Sequence, residues 1–289
     1  MGESMLIASQ SNEAVRVPWA HLRIPPFPLI AIRVLQLTNQ EDVPLRRLSD
    51  LISSDPAFSS EVLTIANSAL YACRVPIHSI LQAIAILGTN SIKGLSLTVG
   101  VRAYMGNALH HESLRAIWRH SLACALIADQ LATTGTTDKD SAYTAGILHD
   151  IGRLALAVLS PKEYATLLET HAGPPASVLE AERGLFGFDH CEAGCRLIAD
   201  WKMPAYLSEV VADHHSPRKY HDTWQMPDVI HVSCRMADTI GFAVFQGCEL
   251  TPYADLVAAL PDRERRTFCP DAGVLAFDVS SRINAVEFS

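Results

Sequence analysis

Most features that would assign this sequence quickly are missing from it. The seven cysteines, Cys73, Cys124, Cys191, Cys195, Cys234, Cys248 and Cys269, are odd in number and scattered. No two have the spacing of a zinc knuckle or a dithiol redox motif, so free thiols in a reducing cytoplasm are the economical reading. The N-terminus lacks a basic segment followed by an apolar one, and no membrane-crossing run of about 18 residues is apparent. A soluble, cytoplasmic chain making no membrane contact is expected. The formal charge of −8 over 289 residues has the wrong sign for non-specific nucleic-acid binding, and no block of like charge forms a binding arm. Also missing are a glycine-rich phosphate loop, a serine-nucleophile elbow, an internal repeat and a low-complexity tract.

What is present is a chain that is 49% apolar, poor in aromatics at 7%, and rich in alanine and leucine. That composition leans helical and can bury a substantial core. Pro25, Pro26 and Pro28 lead into a first helix carrying Leu29, Ile32, Val34 and Leu35, and Leu45, Leu48, Leu51 and Ile52 mark a second. Asp55-Pro56 is a helix start, a capping carboxylate before proline in the first helical position. A further helix near 79–87 stops at Gly88, and another follows with Ile92, Leu95 and Val99 inward. Residues 106–111 read as a boundary. A long helix is predicted over about 112–132, a turn at 133–137, and a helix capped by Asp138 or Asp140 that ends at His149-Asp150. Helices follow at about 161–171 and 176–186, another capped by Asp189 with Glu192 three residues on, one from Pro204 to His214-His215 stopped by Pro217, and one over about 227–245. The tail after Leu250 reads as irregular with two short helices. With no alternating strand-like runs, the fold class is all-α.

The stretch from Ala145 to Arg153 organises the rest. His149 and Asp150 are adjacent at the end of an apolar run, with Gly146 and Gly152 on either side. Neighbours on a helix point about 100° apart, so two adjacent ligands reach one metal cluster most easily where a helix ends, and Gly152 offers such a stop. Ligand-type side chains recur at His120, His190, His214, His215 and Asp238. Five imidazoles and two carboxylates could hold one or two divalent ions, with Asp150 the natural bridge. Nitrogen and oxygen donors without thiolate suit Fe or Mn, with Zn or Ni as alternatives, rather than Ca or Mg. Each residue also has an ordinary explanation. Asp238 would equally pair with Arg235. His214-His215 would suit a solvated helix end, and Cys124, one turn after His120, could approach a metal but better suits a small core position.

The order His120, His149-Asp150, Asp238 resembles the HD superfamily of metal-dependent phosphohydrolases. The added His190 and His214-His215 look like the fuller set of its two-metal branch, the HD-GYP cyclic-dinucleotide phosphodiesterases. Ile24-Pro25-Pro26-Phe27-Pro28, Ser53-Ser54-Asp55-Pro56, Ala66-Asn67-Ser68-Ala69-Leu70-Tyr71, Ala83-Ile84-Ala85-Ile86-Leu87-Gly88, Trp118-Arg119-His120-Ser121 and Phe186-Gly187-Phe188-Asp189-His190 resemble the HDOD domain, a bacterial signalling relative of that branch. The resemblance implies a lead-in over 1–22, an N-terminal helical part over 23–110, an HD-like metal-binding core over 111–248 and a tail over 249–289. It also implies a role in signal transduction, often with catalysis lost. The run after His215 supplies no Gly-Tyr-Pro element, Arg153 stands where the phosphodiesterases favour lysine, and Ala116 where some relatives place a glutamate.

Three readings follow. The first is a regulatory module whose metal site, with or without a phosphorylated small ligand, controls a signalling partner and does not hydrolyse cyclic dinucleotides. The second is an active phosphohydrolase using Asp150, with Arg153 steadying developing charge. The third is a metal-free helical scaffold.

Overall fold

In the computed structural model every regular element among the described residues is helical; these residues are 19, 24–40, 42–71, 73–134, 139–171, 173, 175–215, 224–245, 250–269 and 271–287. The expected lead-in apart from Trp19, most of the expected turn with its Asp138 cap, the run 216–221 with Pro217, Cys248 and Pro270 lie outside them.

Three helices, α1 (Leu29–Thr38), α2 (Leu45–Ser53) and α3 (Pro56–Ala66), pack on α4 (Ile80–Met105). Asp55 caps α3 as the sequence predicts, accepting from the Phe58 amide at 3.0 Å. Inside α4 the backbone breaks at Gly88, whose φ of 83° lies where a side chain would be strained, so the predicted stop is real although the hydrogen-bonded run resumes. Leu29, expected inward, is 57% exposed; α1 buries Ala31, Ile32, Val34, Leu35 and Leu37 instead.

After a 3₁₀ turn (Gly106–His110) comes α5 (Glu112–Thr134), the axle of the second half. Every residue from His120 to Ala128 is buried, because α6 (Lys139–Leu148), α8 (Pro161–Thr170), α12 (Met226–Ala237) and α15 (Ala272–Glu287) surround it. Between α6 and α8 lies α7 (Ile151–Leu159), absent from the sequence reading; its residues 151–157 are all buried. The remaining elements are α9 (Pro175–Phe186), α10 (His190–Asp200), α11 (Tyr206–Asp213), α13 (Tyr253–Ala258) and α14 (Asp262–Thr267). Among its described residues the tail thus holds three helices rather than two short ones, and α15 buries Leu275, Val279, Ile283 and Val286 against the core. The helix expected over 227–245 ends at Ala237 and passes into a π turn, Asp238–Phe242, where Gly241 has φ 103°.

The two halves meet through aromatics. The Phe27 ring lies 5.6 Å from Tyr104 on α4 and 5.5 Å from Trp201 at the end of α10, all in tilted contact. Two helical stretches, Ile80–His110 and Ser141–Leu159, are long and apolar enough to cross a membrane, contrary to the sequence reading. Of their most apolar windows 61% and 83% is buried inside the fold, which accounts for their composition.

Close backbone contacts set the geometry around His149-Asp150. A Cβ on Gly146 would sit 2.5 Å from the Ala125 Cα, so α6 lies directly against α5. A Cβ on Gly152 would sit 1.9 Å from the His190 carbonyl oxygen and 2.8 Å from the Gly194 nitrogen. Gly152 therefore does not stop a helix; it is the second residue of α7 and lets α7 touch α10. Gly152→Ala should force α7 from α10 and cost at least ~3 kcal/mol. Gly184→Ala, exposed on α9 with open space beside it, should be neutral or stabilising by ~0.5–1 kcal/mol. Urea denaturation of the two variants checks the contrast, and equal small effects would mean that the helix contact is not tight.

Candidate metal centre

Each candidate side chain is delivered by a different local device. His120 comes from the buried middle of α5. His149 and Asp150 form the two-residue turn between α6 and α7, with Asp150 in the sparsely populated bridge region (φ −99°, ψ 23°). His190 is the first residue of α10, after Asp189, which caps that helix by accepting from the Glu192 amide at 2.8 Å. The Glu192 carboxylate meets Arg183 instead of closing a capping box. His214 and His215 end α11, and Asp238 opens the π turn after α12.

Four rings are held in the same way. The Nδ1 of His120 lies 2.8 Å from the Phe242 carbonyl, that of His149 2.7 Å from the Gly146 carbonyl, and that of His214 2.9 Å from the Val211 carbonyl. The Nδ1 of His190 lies 2.6 Å from Glu182, which also accepts from the His190 amide and from the Tyr164 hydroxyl. A carbonyl or carboxylate only accepts, so Nδ1 carries a proton in each ring and Nε2 turns inward. Such anchoring of the outer nitrogen is characteristic of metal-ligating histidine. Neighbouring rings sit close, with centroids 5.5 Å apart for His120–His149, 5.1 Å for His149–His214 and 5.5 Å for His190–His214. The fully buried Nε2 atoms of His149 and His214 have no hydrogen-bond partner.

Asp150 lies between these rings. Its Oδ2 is 3.6 Å from His149 Nε2, while Oδ1 is 3.2 Å from His214 Nε2, 3.6 Å from His190 Nε2 and 3.0 Å from Arg153 Nε. Burial alone would raise its pKa, but Arg153 and the histidines outweigh that and hold the carboxylate well below its ordinary range. Burial, with cationic neighbours, lowers His214 and pushes His215 well below the usual imidazole value, leaving both neutral. The Nε2 atoms of His190 and His215 approach to 2.9 Å, and Arg153 Nη2 reaches His215 Nε2 at 3.2 Å. Arg153 is buried, stacks on Phe245 at 5.0 Å, and keeps Nη1 without a partner.

Asp238 takes a different place. Its carboxylate lies 3.4 Å from Nδ1 of His120, the outer nitrogen, and 2.8 Å from Arg235. The ordinary pairing with Arg235 and an approach to His120 are therefore both realised. Burial and nearby Cys234 raise Asp238 to about 6. Asp238 and Asp150 line a common cavity with His120, Arg153, His215 and Phe245, with about 20 Å³ open to a water-sized sphere. That is room for a water or an ion.

Several participants escaped the sequence reading. Glu182 and Tyr164 orient His190, and His231 donates to the carbonyl of His214 at 2.7 Å. Among the described residues, donor atoms fall within 4.8 Å of one another in three sets: His149, Asp150 and His214; His190, Cys191, His214 and His215; and His120, Cys124, His149 and Cys234.

Glu182 gives a pH test. Burial would raise its pKa, but His190, Arg153 and the Tyr164 hydroxyl bring it from 4.5 down to about 2. A depressed folded-state pKa means stability present above pH 4.5 and lost as pH falls toward 2, roughly 3 kcal/mol in all. Glu182→Gln should lose about that much at neutral pH, the gap to the native chain closing across this window. Urea titrations at a series of pH values measure it; a gap independent of pH would show that the carboxylate charge is not what matters.

A family model described as HDOD domain matches residues 24–217. An uncharacterized protein of Treponema pallidum (strain Nichols) is 24% identical over 198 residues, covering 67% of this chain but only 38% of that longer protein. Among solved structures, an HDOD domain protein of unknown function from Geobacter sulfurreducens superposes with a TM-score of 0.69 at 24% identity, covering 92% of this chain and 91% of its own. A candidate phosphohydrolase from Shewanella amazonensis SB2B gives 0.65 at 22%, with 91% and 94% covered. A candidate signal transduction protein from Marinobacter aquaeolei VT8 gives 0.71 at 21%, with 91% and 59% covered. These structural likenesses, all under 25% identity, speak to the fold. With the family match spanning both the N-terminal helices and the histidine-bearing core, the chain belongs to the HDOD domain family.

Proposed function

We propose that this chain is a metal-binding signalling module of the bacterial cytoplasm, in which the histidines around Asp150 hold one or two divalent transition-metal ions and their occupancy controls a protein partner. The observation that carries the reading is the inward turn of four Nε2 atoms, each enforced by an acceptor on the opposite ring nitrogen. Two of these atoms are buried without partners, a cost that an ion would offset. His149, Asp150, His190, His214 and His215 are the proposed core ligands, with His120 beside them and Asp238 at the outer nitrogen of His120. Imidazole and carboxylate donors suit Fe or Mn, with Zn or Ni as alternatives. A bound ion would supply Lewis acidity and attract phosphate.

Regulation is favoured over hydrolysis by what Arg153 does. Its guanidinium holds Asp150 Oδ1 and His215 Nε2, two atoms an ion would need. Ion binding there would release Arg153 from both and disturb its stacking on Phe245, a local switch of the kind a signalling module can transmit. The cavity, as lined by the described residues, has space for a water rather than a phosphoester. No Gly-Tyr-Pro element follows His215, so cyclic-dinucleotide hydrolysis is not proposed. One observation favours phosphohydrolysis as a second reading: Arg153 Nη1, buried without a partner, is a donor that a phosphate oxygen could meet.

Elemental analysis of the untagged chain is the test. Stoichiometric transition metal is expected, with loss of most of it in His149→Ala and Asp150→Ala; substoichiometric metal unaffected by either would end the metal reading. Phosphoester and cyclic-dinucleotide panels with Mn or Fe should show no turnover. Turnover abolished by Asp150→Ala would replace regulation with catalysis.

A further inference from the structure

The half of the centre nearest α5 has sulfur donors that the imidazole and carboxylate pattern of the sequence does not include. Beyond the Nε2 of His120 lie two thiols, Cys234 Sγ at 3.4 Å and Cys124 Sγ at 3.7 Å. With His149 they form a four-donor set whose atoms lie within 4.8 Å of one another. All four residues are buried, the cysteines at 0% and 2% exposure, and neither cysteine is in a disulfide.

Two of the separations fit a tetrahedral ion. Zinc–sulfur and zinc–nitrogen bonds of about 2.3 and 2.05 Å at a tetrahedral angle put sulfur and nitrogen about 3.6 Å apart. The two observed separations bracket that value. An independent observation points to a ligand here: His149 Nε2 is fully buried, has no hydrogen-bond partner, and belongs to a ring whose other nitrogen is held by the Gly146 carbonyl. Asp238, a ligand candidate in the sequence, lies on the Nδ1 side of His120 and against Arg235, where it orients the ring.

We propose that His120, Cys124, His149 and Cys234 form a closed site for one thiophilic divalent ion, zinc above all, with Asp238 positioning His120 instead of binding metal. Two thiolates and two imidazoles are a structural zinc set. Thiolate donors also select against manganese, which the remaining histidines and Asp150 tolerate. The proposal rests on the metal reading of His149 but not on an ion at His190, His214 and His215.

Cobalt(II) loaded into the metal-depleted full chain tests it, because thiolate ligation produces near-ultraviolet charge transfer and tetrahedral geometry produces intense visible bands. The native chain should show both. Cys124→Ser and Cys234→Ser should each weaken or abolish the charge-transfer band, while Asp238→Asn, Cys191→Ser and His190→Ala retain it. Cobalt bound without charge transfer in the native chain would overturn the proposal whatever the variants do. So would failure to bind cobalt, a band surviving both cysteine substitutions, or a band lost on Cys191→Ser. If His190→Ala releases an ion while the native chain shows no thiolate band, the thiolate site fails and the histidine–Asp150 reading stands. If the band is present and His190→Ala releases nothing, the thiolate site stands without a second ion.

Discussion

Two backbone contacts that only glycine permits hold the centre together. Gly146 lets α6 lie against the backbone of α5 at Ala125, and Gly152 lets α7 lie against the first turn of α10. His149 and Asp150 sit in the turn between those contacts, so the pair is clamped from both sides. The first contact sets His149 beside His120, with ring centroids 5.5 Å apart. The second sets Asp150 beside His190, with Oδ1 and Nε2 3.6 Å apart. A methyl group at either glycine would spread helices that must otherwise touch, and the ligand atoms would part with them.

Electrostatics then decides which protonation states the clamped groups adopt. A buried carboxylate is costly unless opposite charge or hydrogen bonds surround it, and Asp150 is surrounded by both. The same burial keeps His214 and His215 neutral. Neutral imidazole with its outer nitrogen hydrogen-bonded is the form a metal needs. Arg153 supplies the compensating positive charge from within the chain, and this explains how so polar a cluster is accommodated in an apolar core.

The parts of this arrangement that were legible in the sequence are those with local signatures. Asp55-Pro56 and Asp189 announce helix starts because capping is a property of a few adjacent residues. His149, Asp150, His190, His214 and His215 were visible as ligand types at helix ends, and His120 as one within a helix. The α7 helix was not, because a helix buried on every side has no polar face to give it a period, and α6 ends only two residues earlier. Gly152 was misread because a stopping glycine and a close-packing glycine are the same letter. The stripe of Leu275, Val279, Ile283 and Val286 was readable but was obscured by the prolines before it. Cys124 and Cys234 lie on different helices, and nothing in either neighbourhood says that α5 and α12 are packed together. The acceptors that orient His120, His149 and His214 are backbone carbonyls, which leave no residue-level trace.

The chemical inequality of the two halves bears on what the centre can do. An ion held by two thiolates and two neutral imidazoles carries no net charge with its ligands and has no vacant position in a tetrahedral set. Both features work against activating water or binding phosphate. The other half, with His190, His214, His215 and Asp150, would leave a divalent ion net positive and more Lewis acidic, but Arg153 already occupies the contacts it needs. Asp150 faces both halves through different oxygens, Oδ2 toward His149 and Oδ1 toward His190, His214 and Arg153. A filled thiolate site would fix His149 and, through the His149-Asp150 turn, hold the carboxylate where Arg153 and a second ion compete for it. With the proposed ions in place, one half would be suited to structure and the other to exchange, whereas a two-metal hydrolase needs both ions to face one substrate.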